Sequence, residues 1–153
     1  MAGDCGRCLY FTGKNSVEIR QEHLTRKPGQ LLVESLYMGI SSGTEMLFYR
    51  GEISEGTVLD ESLSALQGGL EYPVKYGYIN VGTEETGRNV FAFFPHQDRF
   101  YIDPDEVIPL PPDMTLEEGV FIPTMETALA IHQSLNAEPG ASGEVIWPDI
   151  STG

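Results

Sequence analysis

The stretch QLLVESLYMGISSGTEM, residues 30–46, decides how the chain is read. Its first part, residues 30–40, is the longest strand candidate in the chain. Side chains alternate along a strand, so Leu32, Glu34, Leu36 and Met38 share one face and Leu31, Val33, Ser35 and Tyr37 the other. The first face is apolar apart from Glu34, which predicts a strand at least half buried. The run then stops in Ser41, Ser42, Gly43, Thr44 and Glu45, small hydroxyl groups and one carboxylate at a strand end. Loops held by rigid elements are where binding and catalytic groups concentrate. The same residues also do ordinary turn and capping work, so both readings are carried forward. After the loop, residues 43–51 read as a short helix capped by Thr44 and stopped by Gly51.

Strand signals continue on both sides. Residues 8–11 and 17–20 flank the turn TGKN and predict a hairpin. Residues 71–82, EYPVKYGYINVG, contain Pro73 and three tyrosines and lead into a strand ending at Gly82. Residues 88–94, 99–102 and 106–110 are short strands with turns at even spacing, the pattern of a barrel or sandwich. Residues 52–71 are acidic and weakly periodic, and read as an exposed excursion. Helical signals follow. Thr115 with Glu118 three residues on forms a capping box. Met125, Ala128, Leu129, Ile131 and Leu135 then recur at helical spacing. The expected fold class is mainly β with a few helices, α+β.

Composition narrows the function classes. The 153 residues are enough for one domain with its own core, and a hydrophobic content of 41% argues against disorder. A formal charge of −14 repels phosphate backbones and anionic lipid, so neither nucleic acid nor a membrane surface is an expected partner. No apolar run reaches the length of a membrane span, and MAGDCGRC lacks the form of a secretory signal. A soluble, cytoplasmic protein is the expectation. The two cysteines, Cys5 and Cys8, allow a redox dithiol, half a zinc knuckle or incidental thiols. The strand-like LYFTG that follows, and the lack of a second cysteine pair, favour the last.

Motif order carries a resemblance. GISSGTE (39–45), YPVKYGYINVG (72–82), NVFAFFPHQDRF (89–100), VIPLPPDMTLEEGVF (107–121) and METALAI (125–131) occur in the order and spacing of the N-terminal, GroES-like domain of the medium-chain dehydrogenase/reductase superfamily. The chain most resembles its zinc-free members. The resemblance implies a partly open β-barrel, over residues 1–137, that binds substrate. It also implies a tail, 138–153, where a cofactor-binding Rossmann domain would begin. In zinc-dependent members the loop after the long strand carries a cysteine ligand, followed by a hydroxyl and an acid. Here Ser41 or Ser42 stands at the cysteine, while Thr44 and Glu45 match the hydroxyl and the acid. The family's Gly-His-Glu triplet is Gly77, Tyr78, Ile79, and no cysteine lies near residues 123–126. Serine and tyrosine do not replace thiolate and imidazole on zinc, so no metal is expected. No G-x-G-x-x-G turn occurs, so the chain is expected to hold no cofactor, with NAD(P)H only where a Rossmann domain is supplied elsewhere.

The implied site residues are Ser42, Thr44, Tyr78 and His96 as catalytic groups, and Ser41, Glu45 and Glu126 as substrate contacts. Each has a plainer reading. The serines and Thr44 fit turn chemistry, Tyr78 a barrel residue with a satisfied hydroxyl, His96 a loop histidine after Pro95, and Glu126 a carboxylate favoured near a helix N-terminus. Three function classes stay open. One is the substrate-binding half of a zinc-independent NAD(P)H oxidoreductase. The others are a repurposed lyase, isomerase or cyclase working without a nicotinamide, and a non-catalytic binding or assembly module. A small-molecule substrate is the expected partner of the first two. Apolar residues of the C-terminal region predict association into a homo-oligomer, a dimer or larger.

Overall fold

The computed structural model describes residues 4–53 and 71–134. One compact unit runs to Pro123 and a second begins at Thr124. Residues 54–70, most of the expected acidic excursion, and residues 135–153, with the expected tail, lie outside the described residues.

The chain is mainly β. In order it forms β1 (Cys5–Gly13), β2 (Ser16–His23), β3 (Leu31–Met38), α1 (Thr44–Arg50), β4 (Val74–Lys75), β5 (Asn80–Glu84), β6 (Asn89–Ala92), β7 (Arg99–Ile102), a 3₁₀ turn (Pro104–Glu106), β8 (Val107–Pro109), α2 (Leu116–Gly119) and α3 (Ile122–Ser134). Strands β2-β1-β4 make a small sheet, and β7-β3-β5-β6-β8 a five-stranded antiparallel sheet that curls into a half-barrel. The β1–β2 hairpin forms where the turn residues predicted it, with Asn15 at φ 57. Thr115 and Glu118 make the expected capping box of α2: the Thr115 N–H donates to Glu118 Oε2 at 2.8 Å and the Glu118 N–H to Thr115 Oγ1 at 3.2 Å.

Three apolar clusters hold the first unit together. Val33, Val90, Ala92, Phe100 and Ile102 fill the half-barrel. Ile79, Val81, Phe91 and Leu110 pack with Leu116 and Val120 around α2. Phe11, Phe48, Val74 and Tyr76 seat α1 on the small sheet. In α3, Met125 and Leu129 are exposed.

The structure settles which face of β3 is buried, and one local expectation, the helix cap, changes. The buried face of β3 is the one carrying Val33, at 1% exposure, whereas Leu36 and Met38 face outward at 57% and 42%. A bulge explains the far end of the strand. Ser35 pairs with Gly82 but Tyr37 pairs with Val81, so two steps of β3 meet one step of β5 and the alternation slips. Thr44 is the first helical residue of α1 and not its cap; Gly43 occupies the cap, while Gly51 ends the helix in the left-handed region as expected.

The β5–β6 turn is tied by Glu84, whose side chain is buried. It accepts from Arg88 Nε at 2.6 Å, from the Thr86 N–H at 2.8 Å and from the Thr86 hydroxyl. The Arg88 and Thr86 hydrogen bonds outweigh burial and lower the carboxyl from its ordinary 4.5 to about 2. The folded-state value is depressed, so this stabilisation is complete above the ordinary value and lost as pH falls through the folded one. Glu84→Gln is therefore expected to lower the urea midpoint at neutral pH, with the gap to wild type closing as pH drops from about 4.5 to about 2. A gap independent of pH would contradict the assignment.

Candidate active site

Residues 94–98, between β6 and β7, stitch the two sheets together. The His96 N–H donates to the Tyr76 carbonyl at 3.3 Å, and the His96 carbonyl accepts from the Leu9 N–H at 2.9 Å. The Asp98 N–H donates to the Arg7 carbonyl at 3.0 Å, and the Asp98 carbonyl accepts from the Ser35 N–H at 2.8 Å. Buried Asn80 fixes the preceding corner by donating from Nδ2 to the carbonyls of Phe94, at 2.7 Å, and Pro95, at 3.0 Å. His96 thus stands on backbone bonded from several sides, the rigid support a reacting group needs. Gly77, at φ +125, lies flat against the imidazole; a Cβ there would meet the ring at 2.7 Å.

The imidazole faces Glu45. Nε2 and Oε2 lie 3.0 Å apart, and both side chains are buried, at 6% and 1% exposure. Glu45 sits in the first turn of α1, where the helix dipole favours a carboxylate. Phe48, one turn on, has zero exposure and anchors that helix with its ring 4.3 Å from Tyr76 and 5.9 Å from Phe11. Unspent hydrogen-bonding capacity remains in the pair: among the described residues, His96 Nδ1 and Glu45 Oε1 have no partner. Buried polar atoms left unpaired cost about 1–3 kcal/mol each, so the pair is held at some expense. With its proton on Nε2 the ring offers Nδ1 as an acceptor; doubly protonated and balanced by Glu45, it offers Nδ1 as a donor.

Two clefts share His96, Leu9 and Ile40 in their walls. The first, of about 270 Å³, is lined by His96, Leu9, Ile40, Ile19 and Met38, with Arg7, Gln97 and Asp98 at its polar end. The second, of about 210 Å³, is lined by His96, Glu45, Leu9 and Ile40 together with Phe11, Val17, Met46 and Tyr49. Arg7 is committed to Asp98, its Nε 2.7 Å from Oδ2. Burial works against the Asp98 carboxylate, but the hydrogen bonds and charge of Arg7 prevail and hold the group below its ordinary value.

The other expected site residues divide. Ser42 is exposed; Ser41 Oγ accepts from the Gly43 N–H at 3.2 Å, the turn chemistry expected of it. Thr44 is half-buried in the first turn of α1, and half-buried Tyr78 lies edge-on to Tyr76 at 6.4 Å. None of these four lines the two clefts. Glu126 is exposed in the second turn of α3, in the second unit. Sequence reading finds His96 and Glu45 separately and misses the apolar walls and Asn80. A polar residue inside the run GYINVG is the available signal for Asn80.

The cysteines take no part. Burial, the largest influence, pushes the Cys8 thiol up to about 12, so it stays protonated and unreactive. Cys5 Sγ lies 3.5 Å from His23 Nδ1 across the hairpin. Among the described residues no three His, Cys, Asp or Glu side chains gather in a way that would hold a metal, and no helix is long and apolar enough to cross a membrane.

No protein-family model and no curated protein matches the sequence. Solved structures do share its fold. The quinone oxidoreductase of Thermus thermophilus, solved alone and with NADPH, is 18% identical with a TM-score of 0.64, over 88% of this chain and 42% of its own. S. aureus TarJ in complex with NADPH is 17% identical with a TM-score of 0.61, over 89% and 42%. The human synaptic vesicle membrane protein VAT-1 homolog-like protein is 14% identical with a TM-score of 0.65, over 88% and 45%. This chain therefore spans less than half the length of each. The fold is the one the resemblance to medium-chain dehydrogenases/reductases implied.

Proposed function

We propose that the chain is the substrate-binding half of a zinc-independent NAD(P)H oxidoreductase acting on a carbonyl compound. The observation that carries the proposal is its fold, shared over 88–89% of this chain with about 42% of two proteins solved with NADPH. A reduced nicotinamide, held outside residues 4–134, supplies the hydride. This chain binds the carbonyl and supplies the proton. His96 is the proposed proton donor, and Glu45 orients its ring across the 3.0 Å contact. Ser41, Ser42 and Tyr78 stand at the positions that resemble zinc ligands and offer neither thiolate nor imidazole, which supports chemistry without the metal. The buried acid–base pair also suits a second reading, a nicotinamide-free lyase or isomerase that moves a proton beside a carbonyl.

Duroquinone, a fully substituted and therefore thiol-inert quinone, is the probe. Calorimetry is expected to show saturable binding to the intact chain. His96→Ala should weaken it about tenfold, the effect of one lost hydrogen bond, and His96→Gln, which keeps a donor, should restore part of it. Equal binding by wild type and His96→Ala would remove His96 from the site.

A further inference from the structure

Strand β2 is an edge. The small sheet runs β2-β1-β4, so one long side of β2 has no neighbouring strand among the described residues. Register and hydrogen bonds fix which backbone groups lie on that side. Asp4 continues the β1–β2 register opposite Leu24, and the Leu24 N–H donates to the Asp4 carbonyl at 2.8 Å. Hydrogen-bonded pairs alternate along an antiparallel ladder, so Gly6–Glu22, Cys8–Arg20 and Tyr10–Glu18 are the pairs bonded to each other. Strand β1 agrees in phase, since its intervening residues turn the other way. The Arg7 carbonyl accepts from the Asp98 N–H at 3.0 Å, and the Leu9 N–H donates to the His96 carbonyl at 2.9 Å. Val17, Ile19 and Gln21 therefore direct their N–H and carbonyl groups outward, away from β1. Such a row is a template for another strand. Val17 and Ile19 are 49% and 68% exposed, so side chains do not cover it.

A second copy of the same strand fits this edge in one register. Two identical edges meet antiparallel about a two-fold axis normal to the sheet, which sets one residue opposite itself. An axis at Arg20 would oppose Arg20 to Arg20 and Glu18 to Glu22, and an axis at Glu18 would oppose Glu18 to itself. Like charges directly opposite are destabilising. An axis at Gln21 overlaps only residues 19–23 and relies on Glu22, which Lys75 Nζ already holds at 2.9 Å together with the Tyr10 hydroxyl. An axis at Ile19 overlaps residues 16–22 of both copies and sets each Glu18 opposite the other copy's Arg20. Both side chains are exposed, and Arg20 Nη2 lies 2.9 Å from Glu18 Oε2 of its own strand, so each guanidinium then stands between two carboxylates. On the other face Ile19 meets Ile19 and Val17 meets Gln21. We infer that β2 is a homodimer interface with Ile19 on the two-fold axis, joining the small sheets of two copies into one of six strands. The interface also reaches the clefts. Ile19 lines the first and Val17 the second, so the second copy sets its Ile19 beside one and its Gln21 beside the other. The formal charge of −14 repels two copies at long range, and salt at about 0.15 M screens that repulsion beyond roughly 8 Å.

Sedimentation velocity on the intact chain, in about 0.15 M salt, is expected to show a monomer–dimer equilibrium. A dissociation constant on the order of 10–100 µM suits so small an interface. Arg20→Glu sets like charges opposite each other at both symmetric positions and should weaken the dimer about tenfold. Adding Glu18→Arg reverses both signs, restores the cross pairs and should bring the constant back to within about threefold of wild type. Both positions are exposed, so the variants keep the fold. Thiol trapping reads the register. In a Cys5→Ser background, Ile19→Cys places two thiols across a hydrogen-bonded pair with Cα atoms about 5.5 Å apart, within disulfide reach. Mild oxidation should then give a covalent dimer. Gln21→Cys leaves its two thiols about 13 Å apart along the strand and should not cross-link. A chain still monomeric at about 1 mM would overturn the proposal and leave the edge to a strand of another protein. A dimer indifferent to both charge variants, or one cross-linked through position 21 in preference to 19, would overturn it as well.

Discussion

Gly82→Ala is expected to leave the chain unfolded or barely folded. Gly82 sits where β3 bulges against β5, facing Ser35. A Cβ built there would lie 2.0 Å from the Glu34 carbonyl oxygen, 2.8 Å from its carbon and 2.9 Å from the Ser35 Cα. All three atoms are backbone of a central strand, so no rotamer relieves the overlap; the two strands must separate. Their separation breaks the ladder from Val33–Glu84 to Met38–Asn80, and with it the segment that holds Asp98 on Ser35. A loss above about 4 kcal/mol is expected, a large part of the 5–15 kcal/mol typical of a domain. Urea unfolding followed by circular dichroism checks it. A cooperative transition within about 1 kcal/mol of wild type would mean that β3 and β5 do not approach as described.

Phe48→Ala is expected to cost about 3–5 kcal/mol, the range for emptying a buried phenylalanine site. The ring has zero exposure and is clamped between Phe11 of β1 and Tyr76. It is the anchor of a helix of only seven residues, too short to persist without tertiary packing. Glu45 is on that helix, so loosening it also frees the carboxylate from His96, and duroquinone binding should weaken under conditions where the variant is still folded. Thermal and urea midpoints measure the first effect and calorimetry the second. A change below about 1 kcal/mol would show that α1 is held by something other than this cluster.

What can be read from sequence follows from range. Alternation over residues 30–40 is a local signal, and β3 lies where that signal places it. The turn TGKN, the Thr115–Glu118 box and Gly51 are local as well, and each does what its chemistry suggests. Which face of β3 points inward is not a local property: the bulge against β5, made by distant chain, leaves Val33 buried and Leu36 and Met38 exposed. The need for glycine at position 82 is equally long-range, since the atoms it avoids belong to another strand. The site shows the same division. His96 and Glu45 stand out as residue types in suggestive places, but their pairing spans 51 residues and depends on backbone bonds from residues 94–98 to two sheets. The hairpin is legible as two strands, whereas the use of its apolar face as a cleft wall requires knowing that Ile40 and His96, distant in sequence, line the same clefts. Motif order, not any single motif, carries the fold.

The most direct single measurement is a paired calorimetric titration of the intact chain, once with duroquinone and once with NADPH. Saturable quinone binding with no saturable NADPH binding below about millimolar, the level near 4 kcal/mol, is the expected result for a chain that supplies the carbonyl site and leaves the nicotinamide to another domain. Micromolar NADPH binding without any quinone binding would contradict that division.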